Sequence, residues 1–584
     1  MTCGNPNVDE QDALMPRRTI GKHANMCVKC KEPTGRVFIR HSVYCKDCFS
    51  IHVVQKCRRC LDPHINPTPS PSTSTSTNPK MKPTKTPKRT ADLRASGNLV
   101  LGYSGGLGSA VLLEIIDKWY FKSISERDGG GDKGGKRHPR NLSKVWEKAY
   151  VCYVEMSGVD DTIRDTTEEI REAVSRYPMF EFVPLRLEDA FDPAWWARIT
   201  GSATLPADLR IISPELDLSL PSSSSPSSSP TTNPLATLRT YLTSLPTTTA
   251  LYTSLTHLTR LLLLHTARSL SASHLLLGTN LTGLSVNLID GIAVGGGFVV
   301  REEAGEVWQP NADGKGQGRD GGEIRVVRPL RELGMKECAV WAWWEGVGVV
   351  GEESVPLKGA SIGRLTKDFI IGLEKDYPST VSAIARTCGK LAPKGSNGGK
   401  CVLCERPAQS GVQAWKDRIS IREFDGIESV PHISTSTSAS PLPTPSTPSP
   451  DSDPPLSLSP HLCYVCHTTL TSRSSRSTAS SIAGGEGLVL PLWAREAMGR
   501  FVPAPLGDAG AAGGDETGAH RNGAGVNGDG AGVNGDGAGV NGDGAGVNGD
   551  GDEMKSHVNG DGEVLVRRKV GEDEMRERVG AFLL

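Results

Sequence analysis

Asn98-Leu99-Val100-Leu101-Gly102-Tyr103-Ser104-Gly105-Gly106-Leu107-Gly108-Ser109, running on into Ala110-Val111-Leu112-Leu113-Glu114-Ile115-Ile116, decides the fold. A short apolar run, a glycine-rich loop and an apolar helix-like stretch succeed one another as strand, loop and helix. Consecutive glycines free backbone N–H groups, and together with a helix N-terminus they make a site that favours anions. Ser104 and Ser109 add hydroxyls at the two ends of the loop, so Ser104, Gly105, Gly106 and Ser109 form the candidate phosphate-binding set. The same pattern also serves as a plain turn joining a strand to a helix without a ligand.

Working outward, residues 95–350 read as an α/β domain. The first helix is expected over about 108–120, and further strands over Ala149–Glu155, Phe180–Leu185, His274–Leu277 and Ile324–Val327. Between them lie an amphipathic stretch near 161–176 and the leucine-rich Leu235–Leu270, which Pro246 should break. Alternating strands and helices imply a parallel sheet with its ligand site at the carboxyl ends of the strands. Cys152, inside the second strand, reads as a buried inert thiol. His257 and His265 read as packed or solvated, and Trp341, Trp343 and Trp344 as core.

The chain has 584 residues, of which 37% are hydrophobic and 5% aromatic, too few for a fold that extends throughout. Pro/Ser/Thr tracts near 65–92, 213–234 and 433–460 and Gly-rich polar tracts near 124–143, 303–322 and 505–562 account for roughly 175 residues that cannot bury enough apolar surface to offset chain entropy. Four copies of Gly-Ala-Gly-Val-Asn-Gly-Asp from Gly523 to Asp550 have a seven-residue period that misses the calcium-binding nonapeptide, and read as low complexity. The divisions expected are a zinc-binding module at 20–64, a disordered linker at 65–94, the α/β domain at 95–350 and a C-terminal region at 351–504. A Gly-rich tail at 505–562 and a terminal helix at 563–584 complete them.

A net charge of −1 gives no global argument for a nucleic-acid partner, although Lys80, Lys82, Lys85, Lys88, Arg89 and Arg94 form a local basic arm. Such an arm suits RNA capture by counterion release and equally suits a soluble linker. No apolar run is long enough to cross a membrane and Met1–Gln11 is polar, so a soluble intracellular chain is expected.

Ten of the fourteen cysteines stand in five C-x-x-C pairs, the pattern of metal sites in a reducing compartment rather than of a secreted disulfide scaffold. Cys27/Cys30 and Cys45/Cys48, separated by fourteen residues, are spaced to surround one tetrahedral zinc. A module of this size needs such a staple because its own core is small. Cys401/Cys404 and Cys463/Cys466 can share a second ion, since closing a long loop costs little more than closing a short one. Cys57 and Cys60 lie one helical turn apart, either completing a further site with His52 or His64 or simply buried.

The glycine loop resembles the S-G-G-x-D-S signature of ATP pyrophosphatases that adenylate a substrate carbonyl, with Gly108 standing where the acid would be. Several further stretches carry a more specific resemblance: Met26–Cys30, Tyr44–Phe49, Leu277-Gly278-Thr279-Asn280, Arg328-Pro329-Leu330 and the late cysteine pairs. In this order they are similar to the cytoplasmic tRNA 2-thiolation protein 2 family, in a fungal member with expanded loops. That resemblance implies a PP-loop ATPase-like (adenine nucleotide alpha hydrolase-like) α/β fold with a zinc-ribbon-like N-terminal module and a C-terminal zinc-knuckle-like segment. It implies a role in 2-thiolation of the wobble uridine of the tRNAs for lysine, glutamate and glutamine. There ATP with magnesium activates the base, a thiocarboxylated ubiquitin-related modifier supplies sulfur, and a paralogous catalytic subunit is the heterodimer partner. A cytoplasmic location and an involvement in attaching the modifier to proteins are implied as well.

Departures from the active pattern point to the non-catalytic half. Gly108 replaces the acid, Thr279 stands at the middle of a motif that reads G-H-N in active relatives, and no cysteine lies between Cys152 and Cys338. An active adenylating sulfurtransferase and a zinc-ribbon nucleic-acid regulator are the competing readings.

Overall fold

The computed structural model describes residues 26–66 apart from 36, 40 and 41; 93–121 apart from 94; 145–202; 206–219 apart from 214 and 215; 233–308; 323–351; 361–391; 397–416 apart from 413 and 415; 456–472; and 487–501. The basic arm, the insertion expected near 124–143, the tail 505–562 and the terminal helix at 563–584 lie outside the described residues.

The N-terminal cysteines precede a short antiparallel hairpin, β1 (Val37–Ile39) and β2 (Ser42–Tyr44), which leads into the helix α1 (Lys46–Ile65). In α1 a stripe repeating every four residues, Phe49, Val53, Cys57, Leu61 and Ile65, is fully buried. It is buried against the α/β core, together with Leu99, Leu101 and Trp341, so α1 is a layer of the larger domain. The module expected at 20–64 thus shares one core with the sheet, and Val37 and Ile39 of its own hairpin belong to the same cluster as the stripe.

The sheet begins with β3 (Asn98–Gly102), followed by the glycine loop and α2 (Leu107–Ile116), where a short π-helical turn replaces the expected end of the helix. It continues through β4 (Ala149–Glu155), α3 (Thr167–Ser175), β5 (Phe180–Arg186) and α4 (Pro193–Thr200). Two-residue strands β6 (Arg210–Ile211) and β7 (Leu218–Ser219) precede α5 (Pro234–Thr243) and α6 (Thr248–Ser269). Pro246 separates α5 from α6, and the Thr247 hydroxyl accepts from the Ala250 N–H at 3.0 Å to start α6. Beyond β8 (Ala272–Leu277) and α7 (Leu281–Ala293) come β9 (Glu306–Trp308), β10 (Ile324–Val327) and α8 (Met335–Glu345).

Six of these strands form one sheet in the order β5-β4-β3-β8-β10-β9, parallel throughout except for the antiparallel edge strand β9. Alternate residues of β3 and β4 serve opposite faces. Val100, Tyr150 and Cys152 join one core with α5 and α6, while Leu99, Leu101 and Val151 join the other with α1, α2 and α8. Chain order runs β3, β4, β5 in one direction and β8, β10 in the other, so the topological switch point lies between β3 and β8. The glycine loop leaves β3 at that point, and Gly278-Thr279-Asn280 leaves β8 beside it.

The C-terminal part comprises α9 (Ile362–Asp376), α10 (Pro378–Cys388), the hairpin β11 (Asn397–Lys400) and β12 (Pro407–Gln409), and α11 (Tyr464–Thr471). It ends with β13 (Leu488–Val489) and α12 (Leu492–Gly499). Cys401, Leu403, Cys404, Leu462, Cys466 and Trp493 belong to the same core as α5 and α6. A division at 350/351 therefore does not separate two cores. Strand β13 pairs with β6, and β6 with β7, so the tract expected at 213–234 begins within a small three-stranded sheet. Strand β9 likewise occupies the start of the tract expected at 303–322, because pairing with β10 satisfies its backbone.

Trp341 is buried and Trp344 half-buried, but Trp343 is 77% exposed, contrary to the expectation that all three are core. Helix α8 presents one face to α1, and residue 343 points away from it at about 100° per residue. No helix among the described residues is long and apolar enough to cross a membrane.

Candidate functional site

The first element of the site is the glycine loop. Gly105 adopts φ +75°, the left-handed region that favours glycine, and Gly106 caps α2 without a side-chain bond. Of the hydroxyls that could meet a phosphate, that of Ser109 is turned into the loop. Ser109 Oγ donates to the Gly106 carbonyl at 2.9 Å and lies 3.3 Å from Ser104 Oγ, and Ser104 Oγ accepts from the Gly106 N–H at 3.4 Å. The Gly105 carbonyl accepts from the N–H groups of Val350 and Gly351 at 3.2 and 3.0 Å, so the segment following α8 is seated on the loop.

Gly108 faces Gly278 backbone to backbone. A β-carbon on Gly108 would collide with the Gly278 carbonyl oxygen, and one on Gly278 would stand 2.5 Å from the Gly108 carbonyl carbon. An acid at position 108 has no room in this arrangement. Asn280, beside it, is committed to capping α7 through the Gly283 N–H at 2.8 Å. In this arrangement Ser109 is buried and bonded within the loop, Ser104 stays exposed with only long contacts, and position 108 offers no carboxylate to a metal.

The second element is a pair of cysteine clusters. Cys27, Cys30, Cys45 and Cys48 come together with their sulfurs all within 4.8 Å of one another, and so do Cys401, Cys404, Cys463 and Cys466. Zinc–sulfur bonds of about 2.3 Å in a tetrahedron place sulfurs about 3.8 Å apart. The Cys30–Cys45 and Cys404–Cys463 sulfurs are each 3.8 Å apart, which fits a single tetrahedral ion.

The thiols of the first cluster depend on one another. Burial raises Cys27, but N–H groups of Cys30, Cys45 and Lys29 outweigh it and bring the thiol down to about 6. The neighbouring Cys45 sulfur and burial push Cys48 up to about 12. Four such thiols ionise together only around a cation.

Surroundings of the second cluster come from distant segments. Arg260 on α6 donates to the Cys404 carbonyl at 3.0 Å and pairs with Glu306 on β9. Arg406 and Arg328 both pair with Glu303, the latter at 2.8 Å. His257 Nδ1 lies 3.8 Å from Cys466 Sγ, and burial pulls its imidazole down to about 4, so the ring is neutral at pH 7. His265 is boxed by Trp196, Trp308 and Trp493, with Nε2 3.2 Å from Glu405. Sequence reasoning gave His257 no role and passed over Arg260 and Glu303. The available signal was the polar trio His257, Arg260 and His265 on a leucine-rich helix.

Cys57 and Cys60 join neither cluster. Burial raises both thiols, Cys60 to about 11, and Cys57 is part of the α1 stripe. The His64 carbonyl accepts from Arg325 at 3.0 Å and lies 2.8 Å from His274 Nε2, while the His52 ring stacks on Tyr44. Cys152 is fully buried and its thiol is pushed up to about 12. Lys29, Lys31 and Lys46 beside the first cluster, and Arg58 and Arg59 farther along α1, are exposed, and Lys29 reaches Gln55 on α1 at 3.1 Å.

Comparison with known proteins converges on one description. The family profile described as Cytoplasmic tRNA 2-thiolation protein 2 matches residues 361–468, which include all four cysteines of the second cluster. The protein of that name from Danio rerio is 25% identical over 420 residues, 65% of this chain and 71% of its own. Those from Bos taurus and Homo sapiens are each 33% identical, over 31% and 24% of this chain and 35% and 28% of their own lengths. Among solved structures, the U34-tRNA thiolase NcsA from Methanococcus maripaludis with its [4Fe-4S] cluster is similar over 62% of this chain and 86% of that one, at 14% identity and a TM-score of 0.37. The chain is thus similar to the cytoplasmic tRNA 2-thiolation protein 2 family, through residues 361–468 and, at 25% identity, over 65% of its length.

Proposed function

We propose that this chain is the non-catalytic half of a cytoplasmic complex that 2-thiolates the wobble uridine of tRNAs for lysine, glutamate and glutamine. Its heterodimer partner is a related subunit with an intact loop, and sulfur comes from a thiocarboxylated ubiquitin-related modifier. Zinc in both cysteine clusters holds the chain in shape. The exposed lysines beside the first cluster and the arginines farther along α1 help dock tRNA.

The observation that carries the reading is the approach of Gly108 to Gly278 at the switch point, where nucleotides bind in open parallel sheets. The loop keeps the order strand, glycines, helix, yet leaves no space for the acid and turns Ser109 inward. Chemistry of this kind needs a held metal and donors aimed at the transferring phosphate. What this chain offers is a rigid three-layer frame and two metal-ready knuckles.

Reconstitution tests it. Thiolation of a wobble-uridine tRNA should require both this chain and the related subunit, while this chain alone should release no AMP or pyrophosphate. AMP release by the isolated chain, or full thiolation without it, would overturn the proposal.

A further inference from the structure

The two cysteine clusters repeat one local construction. In the first, the Lys31 N–H donates to the Cys27 carbonyl at 2.9 Å, the Cys27 N–H donates to the Glu32 carbonyl at 2.9 Å, and Lys31 has φ +64°. In the second, the Glu405 N–H donates to the Cys401 carbonyl at 2.8 Å, the Cys401 N–H donates to the Arg406 carbonyl at 2.9 Å, and Glu405 has φ +52°. Each site is completed by a helix capped by its third cysteine, Cys45 for α1 and Cys463 for α11. Matching backbone scaffolds imply the same ion.

What encloses them differs. Cys30 is exposed and Cys48 half-exposed, so one edge of the first sulfur tetrahedron faces water. Cys401, Cys404 and Cys466 are buried in the core shared with α5 and α6, and Cys463 is half-exposed like Cys48, so no sulfur of this site has the exposure of Cys30. Arg260 holds the Cys404 carbonyl, His257 sits against Cys466, and Trp493 Nε1 donates to the Leu403 carbonyl at 3.1 Å.

We propose that the chain carries two zinc sites of unequal lability: an exchange site at Cys27, Cys30, Cys45 and Cys48, open to soluble thiols and chelators, and a sealed site at Cys401, Cys404, Cys463 and Cys466. This rests on the reading that both clusters hold zinc. Exchange at a four-coordinate thiolate site starts when an incoming donor reaches the ion and one protein sulfur leaves. At the first site the Cys30–Cys48 edge admits that donor directly. At the second, the α6 side of the core must open first, so release follows local unfolding.

The test uses the full-length chain carrying two zinc equivalents and an excess of a chromogenic chelator in native buffer. Two phases of one equivalent each are expected, separated by about ten-fold or more in rate. Cys30→Ser should remove the fast phase and leave the slow one. His257→Ala should speed only the slow phase, by about 10- to 100-fold, as removal of a residue supporting a metal ligand does. An independent readout needs no variant: on brief treatment of the wild-type chain with iodoacetamide, mass spectrometry should find Cys30 and Cys48 alkylated before Cys401, Cys404 or Cys466. Release of both equivalents in one phase, or alkylation in the reverse order, would overturn the inequality. Fewer than two equivalents in the purified chain would overturn the zinc reading itself, before any rate is measured.

Discussion

Gly278, just past the carboxyl end of β8, and Gly108, in the first turn of α2, lie so close that the two positions exist in this form only as glycines. Restoring an acid by Gly108→Asp should therefore not restore a metal site. The added side chain must displace the Gly278 backbone, and strain of this kind costs about 1–3 kcal/mol or more. Urea denaturation should show that destabilisation, and an AMP-release assay of the variant should stay at background. An active Gly108→Asp chain of unchanged stability would show that the loop can open to accept the acid.

The buried cluster beside the second cysteine site sets a different expectation. Burial alone would raise the Glu303 carboxyl, but the Arg406 and Arg328 guanidiniums overrule it and hold it at about 2. A depressed carboxylate contributes stability above its unfolded value, near 4.5, and that contribution fades as pH falls from there toward 2. Glu303→Gln leaves two buried guanidiniums short of an anion, which costs about 3–5 kcal/mol at neutral pH. The variant's stability should also depend less on pH across that acid window, as read by denaturation at a series of pH values.

Asp290 works in the opposite sense. Its Oδ1 has no hydrogen-bond partner among the described residues, and burial raises the carboxyl to about 6. A raised acid favours the folded state at low pH, and that advantage fades as pH climbs through about 6. Asp290→Asn should accordingly stabilise the chain at pH 7 by about 1 kcal/mol, a figure already discounted because the group is partly exposed to solvent. No gain in the denaturation midpoint at pH 7 would contradict this.

Much of the frame was readable from the chain. Strand β4 spans the apolar run Ala149–Glu155, and Pro246 divides the leucine-rich stretch, because fully buried strands and proline breaks leave strong local signals. Other features depend on partners far away in sequence. The α1 stripe gives no hint that Trp341, beyond the whole sheet in chain order, is part of what it packs against. Two-residue strands such as β6, β7 and β13 are too short to show any period, and β9 is ordered by pairing with β10 inside a polar tract. At the site, the loop glycines and the cysteine pairs were visible as motifs. The inward turn of Ser109 was not, since a hydroxyl's partner is a matter of geometry.

Trp343 and Trp341 separate surface from core on one helix. Trp341 is buried and its Nε1 donates to Ser50 Oγ at 3.2 Å, whereas Trp343 points outward. Trp341→Ala should cost about 3–5 kcal/mol, and Trp343→Ala within about 0.5 kcal/mol. Guanidinium denaturation of the two variants measures both. An equal destabilisation by Trp343→Ala would mean that this ring is covered in solution.

The exposed basic residues beside the first cysteine cluster and along α1 give the proposed tRNA-docking role a quantitative test. Lys29 reaches Gln55 on α1, one turn before Arg58, so the knuckle and the helix present charge on one surface. Arg58, itself exposed, also lies 3.3 Å from the half-buried Asp62, whose other partner is the Tyr120 hydroxyl. Each phosphate that is no longer neutralised lowers the slope of log affinity against log salt by about 0.7 to 0.9. Lys29→Glu with Arg58→Glu should weaken tRNA binding to the assembled complex and reduce that slope by about 1.5, while zinc content and thermal midpoint stay unchanged. Binding titrations at several salt concentrations would show it, and an unaltered slope would place the docking surface elsewhere on the complex.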